Sequence, residues 1–119
     1  LGKTEIDLQV EEFNAYIKVQ ERHLEIAKAL ETLKATEAYK LVFDQIFIKE
    51  QSESLLEQLV NPNISLVDRE DKDDVMRKLD LIRLFNVYFG TGGFIESNGA
   101  RAKEDIDNKD VILEEMREA

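Results

Sequence analysis

Cysteine and tryptophan are absent from this 119-residue chain. Without thiols there is no disulfide, no cysteine nucleophile and no thiolate-held zinc or iron–sulfur site. Histidine occurs once, as His23. A lone histidine leaves no H-E-x-x-H zinc pair and no Glu-x-x-His pairs of the di-iron bundle type. With Arg22 and Glu25 beside it, His23 reads as a surface group on a charged helix. No apolar run approaches the ~20 residues that a membrane span needs. The opening Leu1-Gly2-Lys3-Thr4 lacks the basic-then-apolar order of a signal peptide, so an intracellular chain with no membrane segment is expected.

Positive charge is also scarce. Sixteen Lys and Arg stand against 26 Asp and Glu, for a net charge of −10 and a pI near 4.6. Nucleic-acid binding rests on cations that displace phosphate counterions, so no direct contact with DNA or RNA is expected. Anionic membrane surfaces are disfavoured for the same reason. A basic protein partner stays open, although acidity by itself serves solubility.

Hydrophobic residues make up 43% of the chain and charged residues 35%. That composition predicts one folded domain, residues 1–119, with a thin core and much solvated helix surface. Only one proline and five glycines interrupt it, and four of the glycines fall between Gly90 and Gly99. These breaks predict an all-α fold, a helical bundle or hairpin.

The first helix is expected over residues 4–35, with Thr4 as N-cap and Glu5 and Asp7 in the first turn, where the helix dipole favours acids. Its apolar seam is Ile6, Val10, Phe13, Ile17, then Gln20, then Leu24 and Ala27, a 4-3-4-3 spacing. Thirty helical residues reach roughly 45 Å, longer than a small domain needs. The polar Gln20 either sets a register or is a tolerated polar contact near a rim.

Thr36 is positioned to cap a second helix over 37–60. Tyr39, Leu41, Val42, Phe43, Ile46, Phe47 and Ile48 make its first half apolar nearly all round, which predicts a buried central element. Asn61-Pro62-Asn63 ends it, and an irregular stretch follows to about Asp71. A third helix is expected over 72–89, with Val75, Leu79, Ile82, Phe85 and Phe89 on its face and Met76, Leu81, Leu84 and Tyr88 widening it. A charged C-terminal helix over 93–118 carries only a thin stripe of Ile95, Ala102, Ile106 and Leu113. Leu41, Phe43, Phe47, Leu56, Ile82 and Phe85 are assigned to the core, where truncation to Ala costs about 2–5 kcal/mol each. Tyr16, Tyr39 and Tyr88 read as core as well.

Chemical motifs are few. The acidic run Asp68-Arg69-Glu70-Asp71-Lys72-Asp73-Asp74 lacks the Gly and Glu placement of a calcium loop and reads as an acidic helix entry. Gly90-Thr91-Gly92-Gly93 fails the dinucleotide fingerprint, because its third glycine position is Ile95. Gly99-Ala100-Arg101 fails the P-loop ending. The glycines therefore read as a helix stop, or as a joint within a continuing helix. Asn63-Ile64-Ser65 matches a glycosylation sequon that has no meaning without secretion. No catalytic, cofactor-binding or metal-ligating residue is assigned, and an enzyme is not expected.

Surface shape remains. An amphipathic helix longer than its own domain is usually an interface. Val10, Phe13, Ile17 and Leu24 are therefore the expected protein-contact residues.

The spacing Leu33-x-x-Thr36-x-x-Tyr39-x-x-Val42-Phe43 runs into Asp44-Gln45-Ile46-Phe47-Ile48-Lys49-Glu50, then Leu55-Leu56-x-x-Leu59 and Asn61-Pro62. Later comes Leu79-x-Leu81-Ile82-x-x-Phe85-x-x-Tyr88-Phe89. Together these resemble a group of small helical proteins encoded among the structural genes of tailed bacteriophages. The likeness covers about the middle half of the chain and rests on hydrophobic spacing and a helix-ending Asn-Pro. The chain departs from the group at Gln45, where a small residue is usual, and in its glycine-rich 90–93 segment. The resemblance implies a virion or assembly role, with the chain itself or other virion proteins as partners, no cofactor and no enzyme activity. Two other readings stand beside a virion component. One is an assembly factor absent from the mature particle, and the other is an acidic regulatory adaptor for a basic partner.

Overall fold

The computed structural model describes residue 2, residues 4–60 and residues 69–118. The fold is all-α, with no strand among the described residues. Its elements are α1 (Glu5–Lys34), α2 (Glu37–Tyr39), a π-helix (Lys40–Glu50), α3 (Gln51–Val60), α4 (Arg69–Phe89), α5 (Phe94–Asp107) and α6 (Lys109–Glu118). The turn expected at Asn61-Pro62-Asn63, the sequon Asn63-Ile64-Ser65 and the start of the acidic run at Asp68 lie outside the described residues.

Local chemistry sets the helix ends. At Thr4 a reciprocal capping box forms: the Asp7 amide donates to Thr4 Oγ1 at 3.1 Å and the Thr4 amide donates to Asp7 Oδ2 at 3.3 Å. Thr36 sits in extended backbone, accepts the Tyr39 amide at 3.1 Å and donates its hydroxyl to the Leu33 carbonyl at 2.7 Å. One side chain thus ends α1 and starts α2. The glycine segment is a stop and not a joint, since α4 ends at Phe89 and α5 begins at Phe94. Gly92 has φ +70°, the left-handed region that closes helices. A Cβ at Gly93 would lie 2.7 Å from the Val87 carbonyl oxygen and 2.8 Å from that of Gly90.

The chain divides into two compact units, and the division is not sequential: residues 1–30 and 94–119 form the first, residues 31–93 the second. In the first unit α1 runs antiparallel to α5. Gln20 is bonded to Asp105, and Ala27, farther along α1, faces Gly99, earlier in α5. Gly99 and Ala102 are buried, and a Cβ on Gly99 would collide with that of Ala27. The small residues let the two helices approach closely. The expected C-terminal helix breaks at Asn108 into α5 and α6.

In the second unit the run from residue 37 to 60 pairs with α4 as a helical hairpin around Leu55, Val75 and Ile82, with Phe47, Ile48, Leu59 and Leu79 packed against them. The end nearer the glycine stop is aromatic. Phe85 stacks on Phe43 (centroids 5.2 Å, interplanar 8°), meets Phe47 edge-on at 5.3 Å and touches Phe89 at 5.0 Å. Tyr39 joins through Phe43 at 4.9 Å and is buried, which pushes its phenol pKa up. The π-helix closes on Gln51, whose amide reaches back to the Ile46 and Ile48 carbonyls. A π-helix is wider than the 3.6-residue α turn, so residues four and five apart share a face and Tyr39, Phe43 and Phe47 line up toward Phe85.

Burial within the hairpin differs from the sequence expectation. Ile82 is buried, and Phe43, Phe47 and Phe85 are half-buried, but Leu41 is 57% and Leu56 50% exposed. No residue of the π-helix is fully buried. An all-round apolar helix needs cover on every side, and a two-helix hairpin supplies it on one. Of the tyrosines only Tyr39 is core, whereas Tyr16 and Tyr88 are about half exposed.

Candidate functional site: an apolar groove on the hairpin and a polar latch on the first unit

The aromatic packing leaves a groove of about 730 Å³ along one side of the hairpin. Val42, Ile46, Phe47, Gln51 and Leu55 line one wall, and Lys78, Leu81, Ile82, Leu84, Phe85, Tyr88 and Phe89 the other. Phe85 is held in that wall by its ring contacts with Phe43 and Phe47. The upper walls are solvent-facing: Leu81 is 62% exposed, and Val42, Ile46, Leu84 and Tyr88 are close to half exposed. With Phe89, these side chains leave the rim of the groove apolar and open to water. Lys78 is the one charged lining residue, and its ammonium pairs with Asp74 at 3.0 Å. The groove therefore holds no cation free for an anionic small ligand and suits an apolar surface instead.

Sequence reasoning saw half of this feature. Met76, Leu81, Leu84 and Tyr88 were legible as a widened arc on the third helix. An arc wider than one neighbour can cover is the signal of a second neighbour. What sequence lacked was the opposing wall, because Val42 and Ile46 read as interior.

The first unit carries the second feature. The Tyr16 hydroxyl donates to Asp105 Oδ2 at 2.6 Å, and the Gln20 amide nitrogen donates to the same oxygen at 2.7 Å and to the Tyr16 hydroxyl at 3.1 Å. Gln20 is the one buried polar residue among those described, and no buried polar side-chain atom there is left without a partner. The two donors, Tyr16 first, hold the Asp105 carboxyl below the usual carboxylate range. The acceptor bond to Asp105 raises the Tyr16 phenol pKa. These groups form a latch between α1 and α5.

The expected contact residues Val10, Phe13, Ile17 and Leu24 lie on the α1 side that carries Gln20 and Ala27. Ile17 is only 2% exposed, and Val10, Phe13 and Leu24 are half-buried. Ile17 is thus withdrawn from water within the chain itself, and burial of an apolar side chain is favourable whichever neighbour supplies it. The half-buried three retain partial exposure.

His23 is half-buried, and Arg22 next to it pairs with Glu25 at 3.2 Å. Among the described residues no group of three or more His, Asp or Glu side chains is arranged to hold a metal ion. No helix among them is long and apolar enough to cross a membrane. A scan against protein-family models, a search of curated proteins and a search of solved structures each returned no match for this chain.

Proposed function

We propose that this chain is a non-enzymatic structural and interaction protein, a helical component of a tailed-phage virion in its capsid, neck or tail. It acts by binding copies of itself or neighbouring virion proteins, without direct contact to nucleic acid or membrane. The observation that carries this reading is the open apolar side of the hairpin around Leu81, Leu84 and Tyr88. Open apolar side chains gathered along one groove favour contact with another apolar surface, because leaving them in water costs about 25 cal/mol per Å². The acidic surface of both units keeps such a protein from collapsing onto the genome during assembly.

The test is mass spectrometry of purified, mature particles from the phage that encodes the chain. The expected result is the chain present in a fixed ratio to the major capsid or tail protein. Its presence in assembly intermediates but not in mature particles would move the assignment to an assembly factor that works in the host cytoplasm. Absence from both, with a salt-sensitive complex to a basic protein, would favour the adaptor reading.

A further inference from the structure

We infer that the hairpin unit holds a small-molecule site at the Tyr39 hydroxyl, for an uncharged one-ring compound that offers an oxygen acceptor. The site does not depend on the virion reading above. It is a pocket of about 250 Å³ whose lining includes Lys34, Tyr39, Asp44, Phe85, Phe89 and Thr91. Phe85 and Phe89 line both this pocket and the apolar groove. The observation that carries the inference is a polar group without a partner on a buried side chain. Tyr39 is only 5% exposed, and its ring packs on Phe43. A phenol buried to this degree usually finds a hydrogen-bond partner. The Tyr39 hydroxyl makes no hydrogen bond to any described residue, whereas the Tyr16 hydroxyl is bonded to Asp105. Every fully buried polar side-chain atom among the described residues does have a partner. The Tyr39 hydroxyl is therefore the part of the residue that still reaches open space, and the space the residue lines is this pocket.

The lining sets the chemistry of the ligand. Burial raises the Tyr39 phenol pKa, Lys34 pulls it down and Asp44 pushes it up. The net shift is upward, so the hydroxyl keeps its proton at neutral pH and stands as a donor. Its complement is a carbonyl or hydroxyl oxygen. Lys34 and Asp44 are the charged lining residues, and they act on the phenol with opposite sign. One charge of each sign gives an ionic ligand no net field to answer, which favours an uncharged one. Phe85 and Phe89 supply aromatic surface for an apolar body. An apolar cavity of about 150 Å³ takes up benzene. The larger space here suits one ring carrying a polar substituent.

The experiment is an NMR titration of the isotope-labelled full chain with three probes: benzamide, toluene and benzoate. Benzamide is expected to bind in the millimolar range usual for so small a ligand, shifting the Tyr39 ring and Thr91 amide signals. Toluene has the ring without the acceptor, and benzoate adds a charge. Each should bind at these signals at least about fivefold more weakly. Tyr39→Phe keeps the ring and its packing on Phe43 and removes only the hydroxyl. It should weaken benzamide at least about fivefold and leave toluene unchanged. Its thermal melt should match or exceed wild type, since the group removed had no protein partner. Failure of benzamide to move the Tyr39 and Thr91 signals, with the hydroxyl meeting water only, overturns the inference. So does a benzamide affinity indifferent to Tyr39→Phe, or benzoate binding more tightly than benzamide. Shifts confined to Leu81 and Tyr88 would put the probe in the groove and overturn it as well. None of these outcomes bears on whether the chain is found in particles, so the virion reading stands or falls separately.

Discussion

The Tyr16 hydroxyl donates a 2.6 Å hydrogen bond to Asp105, 89 positions away in the chain. Gln20, one turn along α1, donates to the same carboxylate oxygen. Two neutral donors on one ionised acceptor make charge-assisted bonds, stronger than neutral pairs. The latch sits in the apolar seam at the one point where the seam turns polar.

Its pH dependence follows from the direction of the two shifts. The folded-state pKa of Asp105 is depressed, so its contribution to stability is present above the unfolded carboxylate value of about 4 and is lost as pH falls through the lower, folded value. Tyr16 is raised, so its contribution holds below about pH 10 and is lost as pH rises through the folded value. Denaturant midpoints measured from pH 2 to pH 8 should drop at the acid end in wild type, and the part of the drop due to Asp105 should vanish in Asp105→Asn. In Tyr16→Phe, carboxylate NMR should show the Asp105 pKa moving up toward the ordinary range. An unchanged Asp105 titration in that variant would mean that the bond is not held in solution.

Gly99→Ala tests the close approach of α1 and α5. In an open helix this change stabilises by up to about 1 kcal/mol. Here the new Cβ meets Ala27, so a loss of about 1–3 kcal/mol is expected instead. The sign is the readout of a thermal or urea melt. Adding Ala27→Gly should recover part of the loss, a coupling that distant residues do not show.

The glycine stop makes a separate demand on the backbone. Gly92→Ala places a Cβ in the left-handed region and should cost about 1–2 kcal/mol in a urea titration. Gly93→Ala, which meets two carbonyl oxygens, should cost more than Gly92→Ala. An equal or smaller cost at Gly93 would argue for a looser connection.

Burial in the hairpin orders four truncations. Ile82→Ala should cost about 2–5 kcal/mol, and Phe85→Ala a comparable amount through its three ring contacts. Leu41→Ala and Leu56→Ala should each cost under about 1 kcal/mol in the isolated chain, because water already reaches those side chains. A large loss at Leu41 that grows with protein concentration would show that a second chain covers it.

Much of the fold was legible because its causes are local. Thr4 and Thr36 announce their helices through a side-chain oxygen placed to receive a free amide, and the structure forms both caps. The break at Gly90–Gly93 needs only a residue without a Cβ. The spacing of Val75, Leu79 and Ile82 turned one face inward, and two of the three are fully buried. The latch was half visible: Gln20 stood out as a polar residue in an apolar seam, but nothing near it in sequence names Asp105.

What the sequence by itself determined, then, is where helices start, where they stop and which side of each is apolar, since these depend on residues within about a turn of one another. Tertiary structure decided which apolar side meets which. It buried the α1 seam at Ile17 and left Leu41, Leu56 and Leu81 open on a hairpin with too few helices to cover them. Periodicity records that a face is apolar. Only the packed chain shows how many neighbours exist to bury it.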